Sequence, residues 1–312
     1  MRLPGLHHIT AIASNAKRNV DFYTRVLGLR LVKKTVNFDD PSTYHLYYGD
    51  HAASPGTLLT FFLWDELPRG RAGVGLTSAI AWSVPAGALG FWRERLRAQG
   101  VAAGAPLTRF GEKVLAFTDP DGLPLEFVAT TESDPRIPAP HPDIPPGKGL
   151  RGFHSVTLTV GVEERTATVL TQDMGGRLLA REGDRSRYTT GDGGPGTYVD
   201  LLAAPSLPQG HSGQGTVHHV AFRTPDDTGQ LQAHTALTAR GFNVSPVMDR
   251  CYFHSIYYRE PGGILFEIAT DTPGFAIDEP PESLGAALKL PRHFESRRAQ
   301  IEQQFPLLTS DR

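Results

Sequence analysis

The chain has 312 residues, room for two ordinary domains or one large one, and its 31 basic and 33 acidic residues leave a formal net charge of −2. With no basic surplus to neutralise phosphates, nucleic acid and anionic membrane surfaces are excluded as expected partners. Hydrophobic residues at 39% and charged residues at 21% describe a soluble globular chain, while 33 glycines and 25 prolines favour many short elements over a helical bundle.

Met1 to Thr10 lacks the basic segment and apolar run of a secretory leader. The uncharged stretch Ala72 to Trp92 is broken by Pro85, glycines and hydroxyl residues, so it reads as strand, turn and helix start rather than a membrane span. The single cysteine, Cys251, permits no internal disulfide and no cysteine-based zinc site. A cytoplasmic protein is expected.

Four helical patterns each run into a glycine: Asn15 to Leu27 before Gly28, Gly90 to Gln99 before Gly100, Glu163 to Met174 before Gly175, and Asp227 to Arg240 before Gly241. An apolar or alternating run precedes each, at His8 to Ala13, Ser78 to Val84, His154 to Val160 and His218 to Arg223. Further strand-like runs follow, such as Tyr44 to Tyr48, Leu58 to Trp64, Lys113 to Thr118 and Ser255 to Tyr258. A longer period joins the halves. Gly49-Asp50 with Pro55-Gly56-Thr57 returns as Gly191-Asp192 with Pro195-Gly196-Thr197, and Asp119-Pro120 before Glu126 returns as Glu260-Pro261 before Glu267, at offsets that agree within one residue. The pattern predicts an α+β fold of four βαβββ modules, starting near residues 6, 76, 152 and 216 and paired into two halves, each forming a curved mixed-sheet cup. The halves are placed at 1–132 and 150–270, joined by a proline-rich linker at 133–149, with an extension at 271–312 that ends in a charged amphipathic helix near Glu295 to Gln304.

Duplicated modules share a core, so a metal-binding residue in one copy alone is informative. Aligned on their threonines, the first strands of modules one and three place His8 opposite Ser155; those of modules four and two place His219 opposite Ala79. The terminal strands keep a glutamate in both halves, Glu267 and Glu126, each flanked by apolar residues. A buried glutamate requires a partner or a cation. His8, His219 and Glu267 therefore compose a facial triad of the kind associated with non-haem Fe(II) oxygenases, and Ser155, Ala79 and Glu126 form its degenerate copy. Against this stands the plainer reading, in which histidine pairs at strand starts hydrogen-bond within a core and Glu267 is a salt-bridged structural carboxylate. The recurrence of His7-His8 as His218-His219 favours the metal. His154 reads as structural, and His45 lacks a partner pattern.

On these residues the chain resembles the vicinal oxygen chelate superfamily of glyoxalases, bleomycin-resistance proteins and extradiol dioxygenases, and within it the enzymes that cleave hydroquinone and catechol rings. The resemblance rests on Leu6-His7-His8-Ile9-Thr10, Asp21-Phe22-Tyr23, Leu31 to Asp40 and Tyr44 to Asp50, then on Val217 to Phe222, Asp249-Arg250, Ser255-Ile256-Tyr257 and Gly263 to Glu267, and it extends into the tail at Glu282 to Gly285 and Leu288 to Pro291. It implies a ring-cleaving dioxygenase that takes a small aromatic substrate and O₂. The metal would be Fe(II), with Mn(II) as the second candidate, on His8, His219 and Glu267. It further implies catalytic roles for His7, Thr10, His218, Arg250 and Tyr257, with His218, His7 or Tyr257 moving protons and Arg250 stabilising an anion. Beyond the metal no cofactor is expected, and a homo-oligomer is compatible with such cups. The competing functions are a glyoxalase-like isomerase or lyase, which needs a fourth ligand not seen on modules one and four, and a metal-free protein that sequesters an aromatic drug.

Overall fold

A computed structural model of the chain describes residues 1–305 and Leu308. The first module is β1 (Leu6–Ala13), α1 (Ala16–Asp21), β2 (Arg30–Val36), β3 (Tyr44–Gly49) and β4 (Leu58–Leu63). The second is β5 (Leu76–Pro85), α2 (Leu89–Ala98), β6 (Leu107–Arg109), β7 (Glu112–Thr118) and β8 (Pro124–Thr130). The third is β9 (Gly152–Val160), α3 (Glu163–Thr168), β10 (Arg177–Glu182), β11 (Arg185–Thr189) and β12 (Tyr198–Ala203). The fourth is β13 (Thr216–Thr224), α4 (Asp227–Ala239), β14 (Met248–Asp249), β15 (Phe253–Arg259) and β16 (Leu265–Pro273). In modules one and three the helix widens into a π turn, at Phe22–Val26 and Val169–Asp173, a feature that apolar spacing does not reveal. Gly28, Gly100, Gly175 and Gly241 stop the four helices at φ of 70, 72, 73 and 87°, where a side chain would be strained.

Two eight-stranded mixed sheets result, in the orders β14-β15-β16-β13-β1-β4-β3-β2 and β10-β11-β12-β9-β5-β8-β7-β6. The halves of the sequence are thus not the halves of the sheet system. Module one shares a sheet with module four and module two with module three, which corrects the pairing drawn from the 140-residue-scale repeat, while the four modules and two curved sheets stand as expected. The exchange is held reciprocally: Leu6 N–H donates to Gly196 C=O at 2.8 Å, and Phe153 N–H donates to Gly56 C=O at 2.9 Å, so the two Pro-Gly-Thr turns each serve the other sheet. The second repeated signature is a buried turn. Asp119 accepts from the amides of Asp121 and Leu123, as Glu260 does from Gly262 and Ile264.

The central strands β1 and β9 are buried on both faces. Along β1, Ile9 and Ala11 join the helix residues Val20, Tyr23 and Val26 in the main core, and the alternate residues face into the cup. The extension wraps the first sheet. Leu288 bridges to Lys34 on edge strand β2, Phe275 stacks on Tyr252 at 4.9 Å, and Lys33, itself fully buried, binds Asp278 at 2.6 Å and Glu279 at 2.5 Å. An otherwise open strand edge is thereby covered. The expected terminal helix is in part a 3₁₀ segment, Arg292–Arg297, before α5 (Arg298–Gln304). Among the described residues no helix is long and apolar enough to cross a membrane.

Candidate metal centre

At the middle of the first sheet β1 and β13 run antiparallel, with Thr10 opposite His219, and β16 lies parallel to β13 with Glu267 opposite Ala221. The register between β1 and β13 slips by one residue at His7 and again at His218. Neighbours on a regular strand point to opposite faces; a bulge relaxes that alternation. Each histidine pair consequently meets side to side, His7 Nδ1 to His8 Nδ1 at 2.9 Å and His218 Nδ1 to His219 Nδ1 at 2.8 Å. With its Nδ1 so engaged, each inner histidine turns Nε2 toward Glu267.

Three donors converge. His8 Nε2 lies 3.2 Å from His219 Nε2 and 3.3 Å from Glu267 Oε2, and His219 Nε2 lies 2.9 Å from the same oxygen. Donors about 2.1 Å from a common ion stand about 3.0 Å apart at right angles and about 3.4 Å apart at tetrahedral angles, so the triangle has the size of one face of a metal's coordination sphere. Glu267 is fully buried. Ser255 Oγ–H donates to its Oε1, whereas Oε2 has no hydrogen-bond partner. Burial pushes the Glu267 carboxyl up, but the facing imidazoles outweigh it and hold the group well below its ordinary range. Burial in turn lowers His219, so a neutral His219 imidazole stands beside an ionised Glu267 carboxylate. A buried anion with an orphaned oxygen and two imidazole lone pairs fits a divalent cation.

The equivalent place in the second sheet shows what happens without the histidines. Its register slips at Ser78 and His154, and Glu126 lies opposite Ala81 as Glu267 lies opposite Ala221. There Arg109 takes Glu126 in a bidentate pair at 2.7 and 3.1 Å, Arg187 grips Asp200 and Glu112, and His154 bonds Glu112 at 3.0 Å. The second cup is closed by arginine–carboxylate pairs; the first holds the same glutamate with no arginine on it.

A cavity of about 240 Å³ opens above the triad, walled by Phe38, Tyr47, Phe62, Trp64, Phe253 and Tyr257 among others. Its polar wall includes His218, Arg250 and Asn37. Arg250 Nε–H donates to Tyr257 Oη at 3.2 Å while its two terminal nitrogens hold Asp39 at 3.2 and 3.1 Å, a link between modules four and one. Burial raises the Tyr257 phenol above its ordinary range, and burial lowers His218 to about 3, so both are neutral near pH 7.

Of the eight residues singled out in the sequence, His8, His219 and Glu267 meet, and His218, Arg250 and Tyr257 stand in the cavity wall. His7 and Thr10 lie behind it. His7 packs edge-on against Phe253, bonds the Thr270 backbone and meets His8, and Thr10 Oγ1 bonds Thr60 Oγ1 at 2.7 Å. Thr60 continues to His45 Nε2 at 2.9 Å and His45 Nδ1 to Tyr47 Oη at 3.0 Å, a buried chain that ends in the cavity. His45, passed over for want of a partner pattern, is thus a wall residue. The alternation of His45 and Tyr47 on β3 was the available signal, since such residues share one face. Ser255 was missed because a serine one strand away from a glutamate carries no local mark.

The chain is similar to known proteins along most of its length. The model of the Glyoxalase/Bleomycin resistance protein/Dioxygenase superfamily matches residues 5–127 and 152–268. MhqO of Bacillus subtilis (strain 168), whose name assigns it as a ring-cleaving dioxygenase, is 45% identical over 299 residues, covering 96% of this chain and 95% of MhqO. The chlorohydroquinone/hydroquinone 1,2-dioxygenase of Sphingobium indicum is 36% identical over 308 residues, covering 96% and 95%. A crystal structure of a Bacillus subtilis protein named as a dioxygenase superposes with a TM-score of 0.95 at 44% identity, over 99% of this chain and 98% of that one. Glyoxalase I from Zea mays, at 16% identity and a TM-score of 0.65 over 86% and 92%, shares the fold. Four βαβββ modules, the matched residues in both halves and the relatives' near-full coverage place this chain in the glyoxalase/bleomycin resistance protein/dioxygenase superfamily.

Proposed function

We propose that the protein is an Fe(II)-dependent ring-cleaving dioxygenase of the extradiol type, acting with O₂ on a hydroquinone or catechol-like aromatic. The observation that carries this reading is the contrast between the two cups: Glu126 is neutralised by Arg109, whereas Glu267 faces His8 and His219 and keeps an unpartnered oxygen beneath an aromatic-walled cavity. The name of the Sphingobium indicum relative supports the substrate class. Among the described residues the cluster holds three donors, the number that leaves half of an octahedral sphere open and one fewer than the glyoxalase-like alternative requires.

Held by His8, His219 and Glu267, Fe(II) would supply Lewis-acid and redox chemistry toward a phenolic oxygen and O₂. The residues of the chain do the rest. Phe38, Phe62, Trp64 and Phe253 hold an aromatic ring over the triad and exclude water. His219, with Nε2 free as a ligand, donates Nδ1–H to His218 Nδ1; neutral His218 therefore carries its proton on Nε2 and offers it to a substrate oxygen. Tyr257, kept protonated by burial and accepting from Arg250, presents its O–H as a second donor. Arg250 places positive charge where the substrate oxygen becomes anionic.

The test is anaerobic reconstitution with Fe(II), followed by oxygen uptake and mass analysis of products across hydroquinones and catechols. Ring-opened product carrying both oxygen atoms is expected, with loss of iron binding and turnover in His219→Ala. The reading fails if no compound consumes O₂, or if His219→Ala binds Fe(II) as tightly as the parent.

A further inference from the structure

A second cavity, of about 210 Å³, shares the wall residues His218 and Leu265 with the first. Its lining is apolar at Leu76 and Ile264 and polar at Thr77 and Arg259. Thr77 is 7% exposed and its hydroxyl has no hydrogen-bond partner, a costly state for a buried oxygen that points to a missing polar ligand. Arg259, an exposed residue, spends one terminal nitrogen on Gly263 C=O and forms no close ion pair among the described residues, although its charge reaches the Glu260 carboxylate. No lining residue is acidic, so the chamber combines apolar walls with a guanidinium and a hydroxyl, complementary to a carboxylate on a short hydrocarbon stem.

We propose that this second cavity is a substituent subsite, in which a ring seated over His8, His219 and Glu267 extends a carboxylate-bearing side chain past His218 and Leu265 to Thr77 and Arg259. The inference rests on the ring-binding role given to the main cavity. It makes aromatic diols with a short anionic chain the preferred ligands, and it gives His218 a place at the junction of ring and chain.

The experiment uses the full Fe(II)-loaded chain under strict exclusion of oxygen and measures binding by calorimetric titration. The probes are hydroquinone, 3-(2,5-dihydroxyphenyl)propanoate and the methyl ester of that acid. The acid is expected to bind about tenfold or more tightly than its ester, the range of a charge-assisted hydrogen bond. Arg259→Ala removes that advantage, Arg259→Glu reverses it, and Leu265→Trp weakens both chain-bearing probes relative to hydroquinone. Equal affinity for acid and ester, survival of the advantage in Arg259→Ala, or no binding of any probe overturns the proposal. Oxygen uptake with hydroquinone separates the two readings. Preference for the acid without turnover refutes ring cleavage and keeps the subsite, and ring cleavage without preference refutes the subsite alone.

Discussion

Glu267→Gln asks whether the triad is a metal centre or a structural ion pair. The side chain is fully buried, and among the described residues its charged-group contacts are the His8 and His219 imidazoles, with no arginine or lysine on it. The amide keeps the shape, removes the charge and removes one of three ligands. For the parent, a divalent ion that binds only the folded state at a hundred times its Kd adds about 2.7 kcal/mol. In a chain of this size that is worth about 5 °C in Tm. Differential scanning calorimetry after chelation and after Fe(II) or Mn(II) addition, under anaerobic conditions, reads both effects. Glu267→Gln is expected to show almost no metal-induced shift, whatever the Tm of its chelated form. If the variant keeps the parent's metal response, Glu267 is only a structural partner of the histidines and the metal reading is refuted.

Other outcomes follow from the same contacts. Arg109→Met strands Glu126 in the second cup and is expected to cost about 3 kcal/mol in urea unfolding, much of it regained in Arg109→Met with Glu126→Leu; no recovery in the double variant would contradict the pairing. Lys33→Met leaves Asp278 and Glu279 unpaired and loosens the extension, so limited proteolysis near Phe275–Ile277 accelerates and KM rises through the Phe253 wall; a cleavage rate equal to the parent's argues against the clamp. The pH dependence of the metal-free protein has a definite sign. Burial holds His45 and His218 below the ordinary histidine value, His218 at about 3, so between pH 6.5 and 4.5 the unfolded state binds more protons than the folded one and stability falls as pH falls. Each contributes a slope of about 1.4 kcal/mol per pH unit once below 6.5, and His45→Gln removes one share of it. A stability profile that is flat over this window would contradict the burial of both rings.

Much of the centre was legible in the chain because duplication supplies an internal control. Ser155 and Ala79 mark His8 and His219 as residues that a shared core does not require, and the persistence of Glu126 shows that the glutamate position belongs to the fold. Helix ends were readable for a local reason, since a helix stopped by a left-handed residue selects glycine, as at Gly28 and Gly241. The π turns after α1 and α3 were not, because both helix types present nearly the same apolar face over one turn.

Composition, periodicity and the comparison of repeats thus determined the α+β class, the four modules and three candidate ligands that the structure brings together. Only the tertiary structure decided that modules one and four share a sheet, and with it that the ligands meet, because strand partners across two hundred residues are chosen by turns such as Gly56 and Gly196 reaching into the opposite module. The side-to-side histidine pairs depend on one-residue slips at His7 and His218 that no alternation pattern encodes. The cavity likewise draws Asp39, His45, Trp64 and Phe253 from segments with no common motif, and the second cup filled its matching place with arginines. Local chemistry names what a residue can do; the register of the sheets decides which residues do it together.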